Sequence, residues 1–302
     1  MDWFLLSIAT AISLGLVTAL DKRLLDAHFE NGRTFIFLVG TLWLCLGILL
    51  LPTGMLIWGV PDLGYSFIAC LAGALLGLGL AFYFWGLTFE EASRGTPIFS
   101  TSALFAAVLA MWFLSEELTG IQWAGMVGIV LSIGLLSYRP TPNRNRSIGW
   151  KSIGVFLSGA LFAGGALVLT KQASSGLSIW ELYACHALGS GFALGLSGFH
   201  TRQMSQVARV FRNGGTVRLF LFAELGLAGV TILFMQAAIK LGPVSLVGAI
   251  IATRSLWVLI FSTLFSTRRW NLLNEPLDRQ TLGLKIVSTI IIVIGLATLT
   301  LY

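Results

Sequence analysis

Arg254 lies near the centre of an apolar segment that runs from residue 243 to residue 265. If this segment spans a membrane, Arg254 stands roughly 16 Å from either surface, since an α-helix rises about 1.5 Å per residue. A charge at that depth is costly unless it faces protein or water. The planar guanidinium suits two-point binding of a carboxylate. Arg254 is therefore the leading candidate to bind an anionic substrate, and a structural ion pair with Glu224 is the alternative.

Three further polar side chains are candidates for the same substrate site. Glu224 lies in the preceding apolar segment, where its carboxyl group is a candidate to pair with Arg254, to contact substrate or to carry a proton. His186 and Gln236 also fall inside apolar segments, and a hydrogen-bonded interior role is the alternative for His186. Small hydroxyl side chains that could line a polar cavity with them are Ser100, Thr101, Thr253 and Ser255.

Two lysines occupy equivalent places in the pattern of apolar segments. Lys22 ends the first segment, and Lys171 ends the sixth, 149 residues later. A lysine at the end of a membrane helix usually extends its ammonium group to the membrane surface as an anchor. The alternative is a pair of gating residues, each of which closes one side of a transport pathway.

The composition indicates what positions these residues. Of the 302 residues, 56% are hydrophobic and 11% are charged, whereas soluble domains carry about 25% charged residues. A membrane-crossing helix needs about 20 apolar residues. We therefore expect an all-α integral membrane protein with ten transmembrane helices. The predicted spans are 3–21, 34–51, 65–89, 96–114, 121–138, 152–171, 179–198, 218–240, 243–265 and 281–301.

The ten spans form two sets of five. Glu117, Gln122 and Gly125 recur at the same relative spacing as Glu275, Gln280 and Gly283. A five-helix unit repeated in tandem enters the membrane upside down the second time, as in many secondary transporters. The predicted domains are a first repeat at 1–138, a cytoplasmic linker at 139–151 and a second repeat at 152–302.

The distribution of positive charge sets the predicted orientation. Of the 19 lysines and arginines, 16 lie in the loops that follow the odd-numbered spans or at the helix ends that border those loops. Positive residues favour the cytoplasmic side, so both termini are predicted on the non-cytoplasmic side. The net charge of +6 thus reflects membrane topology. We expect a lipid bilayer and a small-molecule substrate as partners, and no nucleic acid.

Motifs of catalysis and metal binding do not occur in this sequence. It contains no nucleophile elbow, phosphate-binding loop or histidine-rich metal motif. The three cysteines fall within predicted helices and lack the spacing of a metal site or a disulfide framework. We therefore expect no enzyme activity, no cofactor and no metal.

Several of these motifs together resemble the drug/metabolite transporter superfamily, in its ten-helix EamA-type branch. Lys22 and Lys171 match the lysine that closes the first helix of each half. Residues 240–245 (KLGPVS) are similar to the motif that joins the third and fourth helices. The stretches that begin at Glu117 and Glu275 are similar to the motif that joins the fourth and fifth.

This resemblance implies a monomeric or homodimeric carrier of small metabolites, in which two inverted bundles rock around a central cavity. The leading hypothesis is a secondary transporter of a small polar or amphipathic metabolite, such as an amino acid or organic anion. The first alternative is a multidrug exporter of lipophilic cations, which the positive charge of Arg254 disfavours. The second is a membrane sensor or scaffold that transports nothing.

Overall fold

A computed structural model describes residues 2–29, 31–90, 92–137, 150–200, 203–265, 291 and 294–295, and these residues contain helices and no strand. The predicted all-α class is confirmed. The helices are α1 (Asp2–His28), α2 (Gly32–Trp58), α3 (Leu63–Leu87), α4 (Ala92–Phe99), α5 (Ser102–Phe113), α6 (Gly120–Ser137), α7 (Trp150–Ser174), α8 (Ile179–Gly198), α9 (Gln203–Arg212), α10 (Gly214–Leu221), a π-helical segment (Phe222–Ala228), α11 (Gly229–Leu241), α12 (Val244–Ala252) and α13 (Arg254–Phe265).

Within the described ranges, seven helical stretches are long and apolar enough to cross a membrane. They are Asp2–His28, Gly32–Ile57, Leu63–Leu87, Gly95–Phe113, Trp150–Ser174, Gly214–Leu241 and Val244–Phe261. Helix also covers the predicted spans at 121–138, up to Ser137, and at 179–198. The predicted span at 281–301 and most of the predicted linker lie outside the described residues.

Two predicted spans are interrupted instead of continuous. The span at 96–114 is divided between α4 and α5, and the span at 243–265 between α12 and α13. Thr101 Oγ1 donates to the Ile98 carbonyl at 2.7 Å, and Thr253 Oγ1 donates to the Ile250 carbonyl at 2.6 Å. A threonine hydroxyl that bonds to a helix carbonyl competes with the backbone ladder. Each interruption is therefore a single tight turn centred on a threonine.

Helices of the two predicted repeats pack closely, with their backbones in contact at glycine residues. Helix α8 packs against α2 and α3, and α3 also packs against α7. A Cβ added at Gly73 would stand 2.1 Å from the His186 carbonyl oxygen, and one at Gly189 would stand 1.9 Å from that of Cys70. In membranes the hydrophobic effect contributes little to helix association, and small residues allow the close packing that holds helices together. The glycines thus fix the spacing of α3 and α8.

Candidate binding cavity

A central cavity of about 100 Å³ lies between elements of both predicted repeats. Its wall is mostly aliphatic and aromatic, with a few polar groups, which is the usual composition of a ligand site. Cavities of roughly this size hold a benzene-sized molecule. The ionisable side chains that line it are Asp21, Tyr83, His186, Glu224 and Arg254.

Arg254 is the first residue of α13, directly after the turn at Thr253. Its side chain lines the cavity, and the residue is only 8% exposed. The guanidinium carbon lies 4.7 Å from the ring centroid of Phe99 and 5.7 Å from that of Tyr83. Cation–π contacts of this kind stabilise a guanidinium by roughly 0.5–2 kcal/mol while leaving its N–H groups free to donate.

The alternative ion pair between Arg254 and Glu224 does not form in this structure. Among the described residues, no carboxylate oxygen lies within ion-pair distance of the Arg254 guanidinium. The pairing was inferred from opposite charge in neighbouring spans. The turn at Thr253 instead places the guanidinium over two aromatic rings, and Glu224 is engaged elsewhere. Arg254 is thus a buried cation without a side-chain counter-charge in the described part of the chain.

The position of Arg254 is fixed by contacts between the predicted repeats. Ser100 Oγ and Ser255 Oγ are 2.9 Å apart, which joins the turn between α4 and α5 to the start of α13. The Glu116 carboxylate accepts from the backbone N–H of Val244 at 2.7 Å and from that of Ser245 at 3.1 Å. A carboxylate at a helix N-terminus satisfies free N–H groups and complements the helix dipole. Glu116 therefore holds the N-terminal end of α12, and the contact between Ser100 and Ser255 lies just beyond its C-terminal end.

Glu224 lies beside a second buried carboxyl group, Asp21, which the sequence did not indicate as a site residue. Each residue is 3% exposed and lines the cavity, and α1, which carries Asp21, packs against the π-helical segment that carries Glu224. We refer to Asp21 and Glu224 as the carboxyl pair. Trp43 Nε1 donates to Glu224 Oε2 at 3.4 Å, while Asp21 Oδ1 and Glu224 Oε1 have no protein partner among the described residues. Two carboxyl groups form a hydrogen bond only when one carries a proton.

The other two predicted substrate residues occupy different places. His186 lines the cavity and is 1% exposed, and its Nε2 has no partner among the described residues. Gln236 is fully buried on α11 and does not line the cavity. Both polar atoms of its amide lack a partner in the described part of the chain. The structure therefore brings together Arg254, Glu224 and His186, and leaves Gln236 apart.

The two predicted gating lysines bind the C-terminal ends of equivalent helices. Lys22 Nζ donates to the Leu87 carbonyl at the end of α3, at 2.9 Å, and pairs with Asp26 at 2.9 Å. Lys171 Nζ donates to the carbonyls of Ile239 and Gly242, each at 2.9 Å, at the end of α11. A cation there satisfies free carbonyls and complements the helix dipole. Neither lysine lines the cavity.

Replacing Lys171 by methionine is expected to lower the free energy of unfolding by about 1.5–3 kcal/mol, the range for hydrogen bonds to a charged group. Thermal unfolding in detergent measures this effect. Lys151 is the matched control, since it is exposed on the same helix. Equal unfolding temperatures for Lys171→Met and Lys151→Met would contradict an anchoring role.

Comparison with known proteins identifies a related family and a solved structure of similar fold. Residues 1–138 match the model of the EamA-like transporter family, which confirms the predicted resemblance to that family. No curated protein sequence matches the chain significantly. A solved structure described only as the crystal structure of a protein is 15% identical, with a TM-score of 0.71 over 100% of this chain and 96% of that one. That likeness shows a shared fold. The chain is an integral multi-pass membrane protein.

Proposed function

We propose, from the premise that residues 1–138 form an EamA-like transporter unit, that this chain is a secondary transporter working by alternating access. Its substrate is a small polar or amphipathic metabolite with a carboxylate, such as an amino acid or an organic anion. The substrate occupies the central cavity. Arg254 binds the carboxylate, while His186 and Glu224 contact the rest of the molecule.

The observation that carries this proposal is the state of Arg254. A buried guanidinium with no counter-charge is costly, and proteins normally compensate for it with a paired carboxylate. Here the described residues provide aromatic faces and an open cavity instead. A substrate carboxylate would supply the missing counter-charge and accept two N–H bonds from one planar group.

The proposed architecture is ten transmembrane helices in two inverted five-helix repeats, with both termini on the non-cytoplasmic side. Two pairs of equivalent features support it. Lys22 binds the end of α3 as Lys171 binds the end of α11, and Thr101 interrupts one helix as Thr253 interrupts another. In addition, α5 packs against α12 while α4 packs against α13, the antiparallel arrangement that inversion requires. Rocking of the repeats would open the cavity to each side in turn. A gating role for Lys22 and Lys171 stays a prediction.

A second candidate, the exporter of lipophilic cations, gains support from the carboxyl pair. Asp21 and Glu224 line the same aromatic-rich cavity as Arg254, and a carboxylate there would attract a cation. A substrate with both charges, such as an amino acid, would use Arg254 at one end and the carboxyl pair at the other. The two candidates therefore differ in whether the ligand needs a carboxylate.

A ligand-stabilisation screen on the purified protein tests the proposal. Binding to the native state alone stabilises it by about 2.7 kcal/mol when the ligand is at 100 times its Kd. We expect members of an amino-acid and organic-anion set to raise the unfolding temperature, and the corresponding amides or esters to have no effect. Stabilisation by lipophilic cations alone would favour the exporter. No stabilisation by any compound would favour a sensor or scaffold.

A further inference from the structure

We propose that the carboxyl pair binds one proton and that this proton controls the contact between α1 and the π-helical segment, so that transport is coupled to proton movement. The inference rests on the proposed function, because it describes how the two repeats move. The ligand of this site is H⁺ itself. The site is built from one residue of each predicted repeat, Asp21 from the first and Glu224 from the second.

The geometry of the carboxyl pair carries the proposal. Both residues are 3% exposed, so bulk water does not screen their charges. Their side chains line the same cavity, α1 packs against the π-helical segment, and one oxygen of each carboxyl group has no partner in the described part of the chain. Glu224 lies in a π-helical turn, a rare conformation that is frequent at functional sites. Buried carboxyl groups within membrane proteins characteristically form proton relays.

The charged and titratable groups around the carboxyl pair do not neutralise it. Lys22, the next residue after Asp21, is directed to the Leu87 carbonyl and to Asp26. Arg254 packs on aromatic rings and forms no ion pair with either carboxyl group. Helix α2 contributes Trp43, a neutral donor. Tyr83 on α3 and His186 on α8 line the same cavity, and Tyr183 on α8 packs against Trp43. The elements packed against the π-helical segment also carry two cations: Arg218 on α10 is exposed, and Lys240 on α11 donates to the Leu177 carbonyl.

The proton balance follows from this arrangement. The fully ionised pair carries two negative charges in contact, and they repel each other strongly away from water. Uptake of one proton gives a carboxylic acid that donates to the remaining carboxylate, so the pair holds a single negative charge and gains a hydrogen bond. Loss of that proton restores the repulsion and pushes α1 away from the π-helical segment. One proton thus opens or closes this contact between the repeats.

The contact can be measured with two spin labels. Cys45, Cys70 and Cys185 are first replaced by serine, and labels are attached at Ala27→Cys on α1 and Arg218→Cys on α10, both exposed positions. We expect the short label-to-label distance to dominate at mildly acidic pH and a longer one to appear at mildly basic pH. Glu224→Gln supplies an amide donor that needs no proton, so its distance should stay short at every pH.

A control variant and an infrared band test whether the pH response comes from the carboxyl pair. Glu117→Gln removes an exposed carboxyl group and should behave like the parent protein. Infrared spectroscopy should show a protonated carboxyl band in the parent that is absent from Asp21→Asn and from Glu224→Gln. A label distance that is independent of pH in the parent, or a Glu224→Gln variant that responds to pH as the parent does, would overturn the proposal.

The same samples separate failure of this inference from failure of the proposed function. Ligand stabilisation by carboxylate compounds, together with a pH-independent label distance, would remove the proton-controlled contact and leave the transporter. A pH-dependent distance that disappears in Glu224→Gln, in a protein that no metabolite stabilises, would support the proton site and contradict the proposed substrate class.

Discussion

Replacing Arg254 by alanine is expected to weaken the binding of a carboxylate ligand by about 10- to 100-fold. Losing hydrogen bonds to a charged group costs roughly 1.5–3 kcal/mol, and each 1.4 kcal/mol is a factor of ten in affinity. Arg254→Lys retains the charge but cannot donate in the same two-point geometry, so its affinity should fall between those of the parent and Arg254→Ala. Calorimetric titration with the ligand found in the stabilisation screen measures both variants.

The ligand-free stability of the same variants distinguishes a binding role from a structural one. Arg254 forms no ion pair with a described carboxylate, so Arg254→Ala leaves no described acidic side chain without a partner. We expect the unliganded variant to unfold near the temperature of the parent protein. Arg218→Ala is the control, since this arginine is exposed on α10. Unchanged affinity in Arg254→Ala, or failure of both Arg254 variants to fold, would contradict the assigned role.

Replacing Gly189 by alanine is expected to have the largest effect on stability. The added Cβ would stand 1.9 Å from the Cys70 carbonyl oxygen, and the backbones of α3 and α8 must separate to admit it. Overpacking of a well-packed interior usually costs about 1–3 kcal/mol and sometimes more, and a clash with backbone belongs at the upper end. The measurement is the unfolding temperature and the yield of monodisperse protein in detergent.

Gly195 provides the matched control for that substitution. It lies on the same helix, and an added Cβ there would meet nothing within 4 Å. Gly195→Ala should therefore be neutral or slightly stabilising, because alanine favours the helix by up to about 1 kcal/mol over glycine. Equal destabilisation of Gly189→Ala and Gly195→Ala would show that helix propensity, and not the α3–α8 contact, decides the outcome.

The helices were predictable because long apolar runs and charge-rich loops leave few alternatives in a membrane protein. The interior position of Arg254 was predictable for the same reason, since an arginine deep in an apolar segment must face protein or water. Its surroundings were not predictable. The ion pair with Glu224 was inferred from the opposite charges of the two side chains and from their positions inside neighbouring membrane spans. The turn at Thr253 instead directs the guanidinium to Phe99 and Tyr83.

Asp21 was missed because it ends the first predicted span beside Lys22, where polar residues usually mark the membrane surface. Its contact with Glu224 joins positions far apart in the chain, and one sequence gives no signal for such a pairing. The equivalence of Lys22 and Lys171 was visible from their spacing, but their helix-end carbonyl partners were not. The threonine turns were not predicted either. Thr101 and Thr253 each lie in a run of three polar residues, at 100–102 and 253–255, and this pattern was interpreted as side chains that line a cavity from continuous helices.

Exchange across proteoliposome membranes tests the central claim most directly. Purified protein is reconstituted into vesicles loaded with a mixture of amino acids and organic anions, and entry of the same labelled compounds is followed in parallel vesicles with Arg254→Ala. We expect rapid exchange of at least one carboxylate compound by the parent protein and its loss in the variant. Exchange no faster than in protein-free vesicles, or equal exchange by parent and Arg254→Ala, would contradict a transporter whose substrate binds at Arg254.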